Sequence, residues 1–172
     1  MALSFLLLFL AVVVVALIAN MAAASSGPDV AKRFLEVTPD YTADGLRTWV
    51  STYPVQAHRY VYPILFPLDL LFLAALAGLF AIASIATARA LHWDGDLVWI
   101  LAILPVLYAA DDLIENAWLA RLLLSPRAVT DRSVAIAQTL TKFKFAAVAV
   151  AALQLLLLLL WGGWQILLHA LR

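Results

Sequence analysis

The chain contains no cysteine, which excludes disulfides, zinc–thiolate sites, iron–sulfur clusters and a thiol nucleophile. Charge is scarce: 13% of the 172 residues are charged, about half the roughly 25% of a soluble domain. Lys plus Arg and Asp plus Glu number 11 each, so no basic excess points to nucleic acid. His58, His92 and His169 lie far apart without metal-ligand spacing, and nothing in the sequence implies a cofactor or a metal site. A glycine-rich phosphate loop, a Gly-x-Ser-x-Gly elbow and a His-Glu-x-x-His motif are all missing.

What the chain does have is apolar surface. Hydrophobic residues make up 66% and the mean hydropathy is +0.99. A water-soluble fold of this size could not hide so much, so the expected solvent is lipid. The sequence predicts one all-α domain, a transmembrane four-helix bundle with spans at about 3–24, 60–88, 97–124 and 134–161. The first span lies within an uncharged stretch of 28 residues. It could be read as a signal peptide because Ala22, Ala23, Ala24 and Ser25 resemble a cleavage site, but a basic n-region is missing. Gly162 and Gly163 are expected to end or bend the last helix, and Pro67 and Pro105 to kink the second and third.

The loop at 25–57 carries helix signals. Ser26 and Pro28 resemble a cap and a first-turn proline, followed by Val30, Phe34 and Val37 on one face. After Pro39, Leu46, Trp49, Val50 and Tyr53 share a second face. Both segments read as short amphipathic helices at the membrane interface, serving as an anchor belt or as a lid over a pocket. Trp93, Trp99, Trp161 and Trp164 would mark one interface, and Tyr60, Tyr62 and Trp118 the other. Trp99 and Trp118 would lie about 28 Å apart along a helix, close to the thickness of the hydrocarbon. The end carrying the first and third loops would hold nine of the eleven basic residues: Lys32, Arg33, Arg47, Arg59, Arg121, Arg127, Arg132, Lys142 and Lys144. This basic end is therefore expected to face the cytoplasm.

Charged residues inside spans are rare and face the bundle interior. Asp69 in the second span should lie about 10 Å inside Tyr62, at the level of Asp111 and Asp112 in the third. Glu115 and Asn116 follow one turn later, so the Asp-Asp-Leu-Ile-Glu-Asn run can line one broad stripe. Lys142 and Lys144 on the last span are the candidate counter-ions. They point about 200° apart, so only one should face the acids. Arg59 and His58 are expected at the mouth of the cluster, with Arg59 or Arg121 as a further counter-charge. Four acids still outnumber the cations in reach. Carboxyls gathered in one pocket suit acid–base chemistry, with Asp112 and Glu115 as the candidate catalytic pair and Asp69 tuning them. The same cluster would equally serve as a polar lock between helices, although such contacts average only about 0.6 kcal/mol in lipid.

Several of these residues carry a resemblance. Arg59-Tyr60, Phe66-Pro67-Leu68-Asp69, Asp112-Leu113-Ile114-Glu115-Asn116, and a lysine of the last span preceded by threonine resemble a widespread, functionally uncharacterised family of small bacterial four-span membrane proteins. Thr139 with Lys142 and Thr141 with Lys144 fit that last feature equally well. The resemblance covers the chain from Tyr41 to about Ala152 and implies a bacterial inner-membrane setting, but no activity. A looser similarity of layout connects the chain with the sterol-isomerase and sigma-2-receptor group, which also places acids in a lipid-accessible pocket. Three functions compete: binding of a lipid or isoprenoid-like small molecule, with or without proton transfer; proton- or cation-coupled transport, which four spans would achieve only as a homo-oligomer; and structural assembly without chemistry.

Overall fold

The structure is a computed structural model that describes residues 2–25, 40–93 and 95–170. The described residues are helical, with short connections and no strand. The elements are α1 (Ala2–Ser25), α2 (Ala43–Thr52), α3 (Pro54–Arg59), α4 (Leu70–Ala90), α5 (Ile103–Leu124) and α6 (Asp131–Ala170). A wide-turned segment, Tyr60–Asp69, leads into α4. Tight 3-10 turns at Asp96–Ala102 and Pro126–Ala128 flank α5. The helices over Pro54–Ala90, Asp96–Leu124 and Asp131–Leu168 are long and apolar enough to cross a membrane, and Phe9–Ala24 is a shorter apolar helix. The bundle is an all-α fold whose long helices carry their leucines and valines outward: Leu113, Ile114, Val150, Leu153, Leu156 and Leu160 are all exposed. In water that arrangement would be costly; against acyl chains it is the expected one.

The apolar core gathers at one end instead of mid-bundle. Leu46, Tyr60, Ile64, Leu65, Leu119, Leu122 and Leu123 are fully buried and belong to one cluster. α2 covers this end. Thr42 caps it, its hydroxyl accepting from the Gly45 N–H at 3.1 Å. Leu46, Trp49 and Val50 form its buried stripe, whereas Tyr53, expected on that stripe, is exposed at the helix end. Arg47 ties α2 to the α5–α6 corner, donating from Nε (3.2 Å) and from a terminal nitrogen (2.7 Å) to the Val129 carbonyl. Gln138 on α6 donates to the Tyr41 carbonyl at 2.7 Å. α2 is thus packed on protein. The companion helix expected around Ser26, Pro28, Val30, Phe34 and Val37, together with Lys32 and Arg33, lies outside the described residues.

Four expectations are corrected. The second span is not one regular helix from Tyr60. Tyr62 (φ −126°, ψ 113°) and Phe66 (φ −133°, ψ 117°) are extended, each directly before a proline, a position that disfavours the helical region. Regular helix begins at Leu70, so Asp69 stands at its N-terminal boundary instead of within it. Tyr60 is fully buried and no part of an interfacial belt, while Tyr62 is half-exposed. Pro105 stands in the first turn of α5, at the passage from 3-10 to α-helix, and the Leu101 carbonyl that its missing N–H leaves free accepts from Gln154 at 2.8 Å. Finally, α6 starts at Asp131 and continues as helix through Gly162 and Gly163. Trp93, Trp99, Trp161 and Trp164 are all about half-exposed, as lipid-interface residues would be.

Candidate functional site

The buried face of α5 carries most of the buried carboxyl and amide groups of the described residues. Tyr108, Asp111, Asp112, Glu115, Asn116 and Leu119 are buried at helical spacing, so one stripe projects five polar groups inward. Facing it, α6 presents Ala137, Thr141, Lys144 and Ala151, spaced three, four or seven apart. The small residues let the helices approach, and Lys144 fills the space between them. Its ammonium lies 2.6 Å from Glu115 Oε2 and 3.1 Å from Asp112 Oδ1. The Thr141 hydroxyl donates to the other Glu115 oxygen, Oε1, in a short hydrogen bond. Glu115 is fully buried and held at both oxygens; Asp112 is 2% exposed.

Asp69 reaches the same group from the second span. Asn116 Nδ2 donates to Asp69 Oδ2 at 2.5 Å, tying α5 to the start of α4. Asp111 is buried beside Asp112, and its Oδ2 has no hydrogen-bond partner among the described residues. The structure therefore brings together Asp69, Asp112, Glu115, Asn116 and Lys144, with Asp111 at the edge. It does not bring in the other expected members. Lys142 is exposed on the far side of α6, as the 200° separation requires of one of the two lysines. Arg59 is exposed at the end of α3 and forms no ion pair among the described residues. His58 packs against the Tyr62 ring at 5.4 Å, and the Arg121 guanidinium lies 5.3 Å over the Trp118 ring. Neither supplies charge to the cluster.

A half-open cavity of about 320 Å³ adjoins the group. Asp69, Asp112 and Lys144 line it, with Tyr108 and Asn20 nearby; Ala16, Ala19, Phe72, Leu76, Phe145 and Val148 make the remainder apolar. Glu115 does not line it. The expected acid–base pair Asp112 and Glu115 is therefore split by access: the carboxyls that a bound molecule could touch are those of Asp69 and Asp112, and Glu115 acts through Lys144. Sequence reading passed over Tyr108, which stands one turn before Asp111 and Asp112 on the same face of α5, and Asn20, the polar residue of the largely apolar α1 that lines the cavity. It also missed Gln154, which donates to the Leu101 carbonyl at 2.8 Å and to Ser84 at 3.2 Å toward the opposite end. Among the described residues no group of three His, Asp or Glu is placed to hold a metal ion.

Fold and site together define a small helical bundle with apolar outer faces, a buried carboxylate–lysine cluster and an adjoining pocket. No protein-family profile, curated protein or solved structure matches the chain.

Proposed function

We propose that the chain is a multi-pass protein of a bacterial inner membrane, with its basic end cytoplasmic, that binds a lipid or isoprenoid-like molecule in the cavity beside Asp69, Asp112 and Lys144. The observation carrying this reading is the cavity's division of labour: one charged end and otherwise apolar walls. Its volume falls at the lower end of the range of about 300–1,000 Å³ typical of small-molecule sites. An amphiphile with a compact polar head and a hydrocarbon body matches that division. Carboxyls outnumber the single ammonium, which favours a head that donates hydrogen bonds or carries positive charge over a phosphate. Asp69 and Asp112 would hold the head, and any proton exchange with it would pass through them.

The test is lipid identification by mass spectrometry on gently purified protein, comparing the natural chain with Ala16→Phe. Ala16 lines the cavity from α1 and belongs to none of the ion pairs, so a ring added there takes up cavity volume without removing a charged group. The natural chain should carry a defined small amphiphile and the variant should lose about nine-tenths of it, at an unchanged melting temperature. Equal recovery from both proteins would refute the reading.

A further inference from the structure

A second cavity, of about 350 Å³, lies at the α5–α6 corner, away from the carboxylate cluster. Arg121, Arg127 and Arg132 all line it, and no acid does. They come from three elements: the last turn of α5, the 3-10 turn and the first turn of α6. Among the described residues none of the three is ion-paired. Arg132 is also placed against the helix dipole, since a cation in a first turn meets the positive end of the helix. Asp131 in the same first turn of α6 offsets part of the helix end's positive charge, but it does not line the cavity, where the three cations face no acid.

The remaining walls indicate what compensates it. Trp118 lines the cavity and is fixed there, its Nε1–H donating to the Ser133 carbonyl at 2.9 Å. Leu122 and Ile136 add apolar surface. A guanidinium cluster beside a tryptophan and aliphatic side chains, where an apolar helix ends, suits a ligand that is anionic at its head and hydrocarbon below it. We propose that this cavity binds the phosphoryl group of an anionic phospholipid. The planar forks of the arginines match phosphate oxygens in pairs, and Trp118 sits at headgroup level. Basic pockets at helix ends are suited to such headgroups. The site is independent of the ligand proposed for the carboxylate-lined cavity, whose charge has the opposite sign.

The full chain is reconstituted in nanodiscs of phosphatidylcholine with a minor share of phosphatidylglycerol, and retained lipid is read by native mass spectrometry after transfer to detergent. The natural chain should retain phosphatidylglycerol over phosphatidylcholine. Arg127→Gln should weaken that preference about fivefold, and the triple variant Arg121→Gln, Arg127→Gln, Arg132→Gln about a hundredfold. The control is Arg59→Gln with Lys142→Gln, two exposed cations outside the cavity, which should keep the preference. Equal losses in control and triple variant would reduce the effect to general surface attraction and overturn the proposal. So would a triple variant that melts normally and keeps the preference. Inorganic phosphate is added in a separate arm. Saturable phosphate binding to the chain in pure phosphatidylcholine discs, without any preference for phosphatidylglycerol, would assign the site to a soluble anion and overturn the lipid.

Discussion

Lys144→Met is expected to destabilise the protein by about 3–5 kcal/mol, the cost of leaving buried carboxylates without their cation. Lys144 stands between Asp112 and Glu115, whose side chains are 3% and 0% exposed, and Glu115, which does not line the cavity, has no water to replace the ammonium. Thermal unfolding in a fixed detergent measures the effect. Lys142→Met, two residues away and exposed, should change stability by less than about 0.5 kcal/mol. Adding Asp112→Asn and Glu115→Gln to Lys144→Met should recover much of the loss, because a neutral cluster has no charge to strand. Similar melting temperatures for the two single lysine variants would show that the ion pairs contribute little.

How far the sequence reveals this site differs from residue to residue. The stripe from Asp111 to Asn116 was legible because α5 is a regular helix there, and helical spacing alone puts those residues on one face. The choice between the lysines was legible only as a choice. The stripe Ala137, Thr141, Lys144 and Ala151 resolves it, since small residues at three- and four-residue spacing mark the side of α6 that another helix approaches. Asp69 is different. Its depth was inferred by counting helical rise from Tyr62, through a segment that proves to be irregular. Asp69 still meets Asn116, but the count does not explain why. The two prolines that break the segment place Asp69 at the start of α4, and that position brings it to the cluster. Arg59 was misplaced because a basic residue beside a span reads alike whether it points inward or outward, and only tertiary packing decides.

The fold's stability has a second source, at the end covered by α2. In the bilayer, burying an aliphatic side chain gains little, because acyl chains are as apolar as the protein interior. Beyond the spans the alternative is water, and the hydrophobic effect returns. The core cluster gathers where α2 packs on the ends of the long helices. Trp49→Ala should cost about 3–5 kcal/mol, as for a large aromatic removed from a packed core, since Trp49 is 5% exposed and lies on the buried stripe of α2. Val55→Ala, at 64% exposed, should cost less than about 0.5 kcal/mol. Unfolding monitored with hydrogen exchange across Ala43–Thr52 separates the two cases. Rapid exchange in the natural chain, with no effect of Trp49→Ala, would show α2 to be a loose membrane anchor.

The meeting of Asp69 with α5 is the feature that joins the cluster to its cavity. A chain without cysteine allows this contact to be probed cleanly. Asp69→Cys combined with Asn116→Cys leaves the Lys144 ion pairs intact, and a short bifunctional thiol reagent applied in native membranes should link the two positions within one chain in high yield. A pair made from Asp69→Cys and Lys142→Cys should not link. Failure of the 69–116 pair to link in folded protein, or equal linking of both pairs, would contradict the placement of the acid from the second span inside the bundle.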